Sequence, residues 1–439
     1  MNVERFIHEA GPETLPDEVL HQARRCLLDT VGTAIAARGT RLSSIVHGFA
    51  VECHGGRGGI LWQDGREVSP PGAALANAAT VDALDCHDGH SLTKGHAGAA
   101  IVPAAFAVMR AGSDGPSSGS ELLSSIAVGY EIALRAGIEL HATAADYHTS
   151  GAWNALGCAA VTARRLGLSE QQTLHALGIA EYHGPRSPMM RCIDHPTMLK
   201  DGSGWGAMCG VSAGILAAKG FTGLPAETVD VRSESANWND LGERWELLNL
   251  YFKPHAVCRW AQPAVEAALM LKSQFGFGPS EIARIAVETF HEATRLAVRT
   301  PTTTEEAQYS LPFSVAAALC HGRLGPEELI DVALSAPDIR RLAEMIELSE
   351  SEECSAAFPS RRLASLTITL ESGAVHRVND VEPRWEAGCP PDDDELIAKF
   401  HQLTGSLSAD RRDRLASLLL SCADLRDATA IAVELSEPT

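Results

Sequence analysis

Apolar residues recur at helical spacing over most of the first 265 positions. Between Pro16 and Gly39 they lie three or four residues apart, which predicts an amphipathic helix. The same spacing predicts further helices over 71–86, 101–110, 118–137, 149–166, 169–180 and 205–219. The helix over 118–137 begins with a Ser118-x-x-Glu121 capping box. These segments are rich in alanine and glycine, so their axes can approach closely, and we predict one large helical domain.

The pattern changes after Pro263. Residues 282–290 and 363–370 are β-branched runs with partial alternation, which is typical of strands. Glu371, Ser372 and Gly373 predict a hairpin turn into 374–378, and helical patterns cover 312–320 and 338–346. The predicted fold class is mainly α, with a large all-helical domain and a smaller α+β domain. We place the helical domain at 1–267, with the helical tail 405–439 returning to it, and the α+β domain at 268–404.

Charge and composition narrow the function classes. Lys and Arg number 36 and Asp and Glu 56, so the net charge is −20, which would repel nucleic acid and anionic lipid. A local pocket can still be positive and bind a small anion. The N-terminal residues lack an apolar signal-peptide segment, and no apolar run is long enough to span a bilayer. Eleven cysteines without a CxxC motif indicate free thiols. We therefore expect a cytoplasmic protein without nucleic-acid or membrane partners.

The densest group of acid–base side chains lies within residues 82–98, DALDCHDGHSLTKGHAG. Asp82 and Asp85 are three positions apart and share a helix face, and glycines at 89, 95 and 98 permit a tight loop. Carboxylates, imidazoles and a lysine on one loop are the groups that proton transfer needs. One alternative is a solvated polar loop. Another is a metal site, since Asp and His also bind zinc or iron, although the spacing matches no metal motif.

Two further segments could contribute a base. His148 lies in Asp146-Tyr147-His148-Thr149 just before a predicted helix, where the alternative is a simple capping loop. Lys200 enters an apolar, glycine-rich segment, and desolvation there would lower its pKa. The alternative for Lys200 is a surface lysine paired with Asp201.

Arginines and a lysine in two other segments could bind substrate carboxylates. Lys253 and Arg259 lie six positions apart, and Arg259 could hold a carboxylate in a bidentate manner. The alternative for this segment is a linker between domains. Arg186 and Arg191 lie together in one further loop.

The order of these segments resembles that of the MmgE/PrpD family along most of the chain. The matching stretches are Cys26-Leu-Leu-Asp29-Thr-Val-Gly32, Leu84-Asp85-x-x-Asp88 with His96, Gly129-Tyr130-Glu131, His148-x-x-Gly151, Lys200 before Gly204-Trp205, Gly220-Phe221-Thr222-Gly223, Lys253-Pro254 with Cys258, and Ser310-Leu311-Pro312-Phe313. The family includes 2-methylcitrate dehydratase, cis-aconitate decarboxylase and iminodisuccinate epimerase. The resemblance implies a large helical domain plus a smaller α+β domain, often as a homodimer, with the cleft between them. We also expect no cofactor, and no metal because the sequence contains no metal motif.

The resemblance also implies roles for single residues. It makes Asp85, His96, His148, Lys200 and Lys253 the catalytic set, and we add Arg186, Arg191, Arg259, His90 and Tyr147 as substrate-binding residues. The chain departs from the family in three places. His87 stands where a second carboxylate is usual, residues 201–203 are not basic, and the decarboxylases' tyrosine corresponds to Phe313, with Tyr309 close by.

The family reactions share a carbon next to a carboxylate that gains or loses a proton, while cations stabilise the developing negative charge. Residues 93–98 and 147–151 resemble the epimerase subgroup of the family, and the chain carries several candidate cations. Both features favour epimerisation of an iminodisuccinate-like polycarboxylate. The alternative is a hydro-lyase or decarboxylase acting on a 2-methylcitrate- or aconitate-like acid. A further alternative is a non-catalytic paralogue that binds an organic acid.

Overall fold

A computed structural model describes residues 2–112, 115, 117–229 and 236–438. The part before residue 255 is built from helices, with two pairs of two-residue strands. Its helices are α1 (Val3–Glu9), α2 (Asp17–Ala37), α3 (Arg41–Cys53), α4 (Pro70–Asp82), α5 (Gly98–Val108), α6 (Gly119–Thr143), α7 (Gly151–Leu166), α8 (Glu170–His183), α9 (Met190–Asp194) and α10 (Ser203–Ala218). Its short strands are β1 (Gly59–Ile60), β2 (Glu67–Val68), β3 (Gly89–His90) and β4 (Leu250–Tyr251). Each helix predicted in this part is present.

The rest of the chain mixes helices with one sheet. The helices are α11 (Gln262–Phe275), α12 (His291–Thr294), α13 (Thr304–Gln308), α14 (Leu311–His321), α15 (Asp331–Leu334), α16 (Pro337–Met345), α17 (Glu352–Ala357), α18 (Asp393–Leu403), α19 (Ala409–Leu420) and α20 (Thr429–Ser436). The strands are β5 (Ile282–Thr289), β6 (Ile346–Glu350), β7 (Ala364–Leu370) and β8 (Val375–Val381). The predicted fold class is confirmed.

The four longer strands form a sheet in the order β6-β5-β7-β8. β5 pairs in parallel with β6 and antiparallel with β7, and β7 forms the predicted hairpin with β8. The side chains of β5 alternate between a buried and a more exposed face of the sheet, because successive side chains of a strand point to opposite faces. Ile285 and Val287 are on the buried face. α11 and α14 pack against each other, and α11 covers the sheet next to β7 and β8.

The apolar core is divided into two main parts. The first is formed by side chains from 3–252 together with 396–435, and the second mainly by side chains from 256–381. α18 packs against the N-terminal helix α2, so the segment that returns to the helical part begins before the predicted residue 405. The other predicted limit, residue 267, falls inside α11. The domain limits themselves stay a prediction.

The start of α6 shows how local sequence determines a helix end. The Ser118 Oγ accepts a hydrogen bond from the Glu121 amide at 3.2 Å, and the Glu121 carboxylate accepts one from the Ser118 amide at 2.9 Å. The predicted capping box is confirmed. α6 then carries Tyr130 into the core beneath the segment that follows α4, where it positions the loop described next.

The described part of the chain contains no helix that is both long and apolar enough to cross a membrane.

Candidate active site

A narrow crevice lies where the segment after α4 meets the part of the chain that follows β4. Its volume is about 30 Å³. Its lining combines acids, an imidazole, cations and aromatic rings: Asp85, Lys94, His96, Met189, Ile193, Asp201, Tyr251, Cys258, Arg259, Trp260, Tyr309 and Arg362. Residues from both main parts of the chain therefore form its walls.

His96 is held with one ring nitrogen facing the crevice. Its Nδ1 lies 2.6 Å from the Asp88 carbonyl oxygen. A carbonyl oxygen can only accept, so Nδ1 carries the proton and Nε2 is left with a free lone pair in the neutral ring. The His96 amide donates to the Ser150 Oγ at 2.9 Å. A side chain at Gly89 would collide with His96 and Tyr251, so glycine permits this close approach.

Burial keeps the His96 imidazole neutral. The residue is 8% exposed, and its pKa is lowered well below 6.5, first by desolvation and then by the charges of Lys253 and His87. His96 is therefore neutral at physiological pH, with the Nε2 lone pair available to accept a proton.

Asp85 is an ionised carboxylate beside this imidazole. Its Oδ1 forms an ion pair with the buried Lys253 ammonium and lies 3.7 Å from the His96 Nε2. Burial alone would raise the pKa of Asp85, but the charges of Lys253 and Lys200 outweigh it and hold the pKa well below 3.8. Asp85 can therefore stabilise an imidazolium without taking its proton.

Asp201 flanks the same imidazole nitrogen and keeps its proton to a much higher pH than Asp85 does. Its Oδ2 is 3.9 Å from the His96 Nε2 and accepts a hydrogen bond from the Ser150 Oγ at 2.8 Å. Burial raises the pKa of Asp201 to about 7, and the nearby carboxylates of Asp82 and Asp85 raise it as well. Two carboxyl groups thus flank one imidazole, and their environments separate their pKa values.

Lys200 places a buried ammonium next to Tyr309, a lining residue of the crevice, but is not itself part of the lining. Its backbone φ is +48°, in the left-handed region that is costly for a residue with a side chain. The Nζ donates to the Gln308 Oε1 at 2.5 Å and lies 4.4 Å from the centre of the Tyr309 ring. No carboxylate of the described residues lies within 4.0 Å of this Nζ, so the alternative of a surface pair with Asp201 is wrong.

A helix far away in sequence, α18, holds the loop that carries Asp85 in place through hydrogen bonds from Lys399. Lys399 on α18 donates to the Cys86 carbonyl oxygen at 2.7 Å and to the Asp29 Oδ1 at 2.5 Å. Next to this pair, the Tyr130 hydroxyl donates to the Asp88 carboxylate at 2.7 Å. All four side chains and the Cys86 peptide are buried, so the loop is fixed through both its backbone and its carboxylates.

Two family models together match most of the chain. The family model of the MmgE/PrpD N-terminal domain matches residues 2–246, and that of the MmgE/PrpD C-terminal domain matches residues 255–424. The chain belongs to the MmgE/PrpD family. The prediction of this family, and with it of an enzyme, is confirmed.

Relatives of this MmgE/PrpD chain include two cis-aconitate decarboxylase proteins that match along nearly their whole length. The cis-aconitate decarboxylase of Homo sapiens is 23% identical over 99% of this chain and 93% of its own. The cis-aconitate decarboxylase-like protein oryM of Aspergillus oryzae is 22% identical over 95% of this chain and 92% of its own. The mitochondrial 2-methylcitrate dehydratase of Yarrowia lipolytica is 26% identical over 52% of this chain and 48% of its own.

The structure brings four of the five predicted catalytic residues together. Asp85 and His96 line the crevice. Lys253 pairs with Asp85, and Lys200 lies against the lining residue Tyr309, so both lysines lie behind the lining rather than in it. His148 is half-buried beside it, where its Nδ1 lies 2.9 Å from the Asp146 carbonyl oxygen, and it is not part of the lining. The catalytic assignments stay a prediction.

The residues predicted to bind substrate are spread more widely. Arg259 lines the crevice, but its guanidinium already pairs with Glu386 at 2.9 Å. His90 is buried against Glu246 at 3.3 Å, and the half-buried Tyr147 ring lies 3.9 Å from the Lys94 Nζ. The other two, Arg186 and Arg191, are exposed and lie outside the lining.

Sequence reasoning missed several lining residues of this MmgE/PrpD chain. Asp201 directly follows the predicted Lys200, but the sequence indicated it only as a surface partner of that lysine. Tyr251 and Arg362 carried no acid–base signal of their own. Tyr309 could have been chosen from the sequence, because it lies close to Phe313, which was matched to the decarboxylases' tyrosine. Tyr309 lines the crevice, whereas Phe313 is buried and outside the lining.

One group of side chains has the composition of a metal site. Asp85, His87 and His96 each offer a ligand atom, and these atoms lie within 4.8 Å of one another. Two imidazoles and a carboxylate suit a divalent transition metal. Here, however, the Lys253 ammonium pairs with the Asp85 carboxylate, so a metal ion would have to displace that cation. The prediction of no metal remains to be tested with a chelator.

We expect the stability of the protein to report directly on Asp201. Its pKa is about 7 in the folded state against an ordinary 3.8, so its stabilising proton is fully bound below about pH 4 and is lost as pH rises through 7. Asn mimics the protonated form. Asp201→Asn should therefore have a higher melting temperature than wild type at pH 8, and the difference should shrink towards pH 5.

Thermal unfolding followed between pH 5 and pH 8 measures this effect. The matched control is Asp146→Asn, because Asp146 is exposed. An Asp201→Asn difference that does not change with pH would contradict a raised pKa at Asp201.

Proposed function

We propose that the chain is a lyase that transfers a proton at a carbon next to a carboxylate of a polycarboxylic acid. The observation that carries the proposal is the His96 Nε2 flanked by Asp85 at 3.7 Å and Asp201 at 3.9 Å in a crevice with buried cations. The relatives named above support a lyase on cis-aconitate- or 2-methylcitrate-like acids rather than the epimerase that the sequence favoured.

The three acid–base groups divide the work according to their protonation. In a dehydration the neutral His96 accepts the proton from carbon, and the ionised Asp85 stabilises the imidazolium that forms. A decarboxylation removes no proton from carbon and needs only the acid. The protonated Asp201 is the acid. In a dehydration the C–O bond breaks and Asp201 protonates the leaving hydroxyl to give water. In a decarboxylation the C–C bond breaks, carbon dioxide leaves, and Asp201 protonates the carbon that keeps the electron pair.

Lys200 supplies the positive charge that the reaction needs. Negative charge develops on the carboxylate next to the reacting carbon, and Lys200 is buried without a carboxylate of its own among the described residues. A preorganised cation in a dry site stabilises such charge strongly. Lys253, in contrast, is neutralised by Asp85.

Lys200→Met should therefore lower kcat/KM about 100-fold, in the range found when one stabilising donor is removed. The measurement is steady-state turnover of the best substrate found. Lys219→Met is the control, because Lys219 is exposed at the other end of α10. A loss of less than threefold at Lys200 would remove it from the mechanism.

Incubation with candidate acids in deuterated water tests the proposed reaction. The panel is cis-aconitate, 2-methylcitrate and iminodisuccinate, followed by mass spectrometry and ultraviolet absorbance. We expect release of carbon dioxide or formation of an alkene. Deuterium in recovered, inverted substrate without either product would instead establish an epimerase. Ligand-induced stabilisation without turnover of any acid would favour the non-catalytic paralogue.

We propose that the protein forms a homodimer through an exposed apolar face next to Lys200. Ile45 and Phe49 on α3, Leu199 in the turn before α10 and Trp205 on α10 are 39–75% exposed and line one groove. A face of this kind on a soluble protein indicates a contact surface. Light scattering should give twice the chain mass of 46.6 kDa, and Trp205→Glu should give the monomer mass. A monomeric wild type would contradict the dimer.

A further inference from the structure

Arg362 is a buried cation without a carboxylate partner. It precedes β7, is 2% exposed and lines the crevice. Its Nη1 donates to the Ser91 Oγ at 3.3 Å, and among the described residues its Nε has no hydrogen-bond partner. No carboxylate of the same residues lies within 4.0 Å of the guanidinium. Burying a charged guanidinium without a carboxylate partner costs free energy, and a bound anion would offset that cost.

The other crevice arginine differs from Arg362 in having a carboxylate partner, although its Nε likewise has no hydrogen-bond partner among the described residues. Arg259 pairs with Glu386 at 2.9 Å and also donates to the Phe252 and Arg384 carbonyl oxygens, both at 3.1 Å. It lies 4.4 Å from the centre of the Tyr251 ring, and Arg362 lies 5.9 Å from the same centre. The two arginines therefore share an aromatic support, but only Arg259 is neutralised by the protein.

Lys94 adds a second positive group from the N-terminal part of the chain, three residues after the Ser91 that Arg362 contacts. It lines the crevice, has a left-handed backbone with φ of +51°, and places its Nζ 3.9 Å from the centre of the Tyr147 ring. Both cations line the same crevice. Burial lowers the pKa of Lys94, and the charge of Arg362 lowers it further. The Glu292 charge acts on Lys94 in the other direction, without an ion pair within 4.0 Å.

We propose that Arg362 and Lys94 form a second anion subsite, which binds a carboxylate of the substrate remote from the one held at Lys200. This inference rests on the proposed function, because the anion is part of the same substrate. Arg362 comes from the C-terminal part of the chain and Lys94 from the N-terminal part, so the subsite spans both walls. It selects acids with at least two carboxylates over monocarboxylates, since a planar guanidinium binds a carboxylate with two parallel hydrogen bonds.

Calorimetric binding of two unreactive acids tests the subsite without relying on turnover. Tricarballylate carries three carboxylates and butyrate carries one. Truncation of one partner of a buried charge pair costs roughly 30-fold or more in affinity. Arg362→Gln should therefore weaken tricarballylate by about 30-fold and butyrate by less than threefold. Arg362→Lys should show an intermediate loss, because it keeps the charge but not the fork.

Arg361→Gln is the matched control, since Arg361 is the neighbouring residue but is exposed and pairs with Glu382 at 2.8 Å. The subsite is overturned if Arg362→Gln, folded as judged by its melting temperature, binds tricarballylate within threefold of wild type, or if wild type prefers butyrate. If wild type turns over no acid but the Arg362 contrast remains, the proposed reaction fails and the subsite stands.

Discussion

His96→Asn should lower the turnover number about 1,000-fold, within the range for loss of a general base. Asparagine can still donate a hydrogen bond to the Asp88 carbonyl oxygen from the position of Nδ1, but it has no atom at the position of Nε2. The substitution therefore removes the proton acceptor and keeps the contact that orders the loop. Steady-state kinetics on the best substrate measures the effect.

Two controls separate chemistry from folding in this experiment. The melting temperature of His96→Asn should stay within a few degrees of wild type. His183→Asn should keep full activity, because His183 is exposed at the end of α8. A His96→Asn enzyme with more than a tenth of the wild-type rate would mean that another group takes the proton.

Lys399→Met should lower the free energy of unfolding by about 3–5 kcal/mol, the cost of breaking a buried ion pair from one side. The Asp29 carboxylate would remain buried without its cation, and the Cys86 carbonyl oxygen would lose its donor. Denaturant unfolding followed by circular dichroism measures the change. The loop that carries Asp85 is attached to the same ammonium, so turnover should fall as well.

The double variant Asp29→Asn/Lys399→Met provides the control for Lys399. It removes both charges, so we expect it to be more stable than Lys399→Met alone. A single variant within 1 kcal/mol of wild type would show that the pair contributes little to folding.

Local patterns predicted most of the elements but only part of the site. Helices such as α2 and α6 carry their apolar spacing and end signals within the segment, so they could be located from sequence. Contacts such as Lys253 with Asp85, 168 positions apart, depend on how the two parts of the chain pack. The resemblance to a family placed both residues in the site without explaining that contact.

The remaining residues of the site could not be found because their role arises only from burial. Arg362 is one arginine among many in sequence, and only its burial and the absence of a carboxylate beside it in the described structure distinguish it from Arg361. Asp201 differs from other aspartates through the neighbouring carboxylates of Asp82 and Asp85. Neither property has a local sequence signature.

The narrow crevice between two separately packed cores has a kinetic consequence. Lys200, Lys253 and Arg362 are each 3% exposed or less, and His96 is 8% exposed. An acid that reaches them must first move the walls apart, so encounter should be slower than free diffusion and the reacting groups should be shielded from bulk water once it has entered. We therefore expect a slow association step that depends on solvent viscosity. Once the acid is bound, the backbone amides of residues 85–96 should be protected from hydrogen exchange.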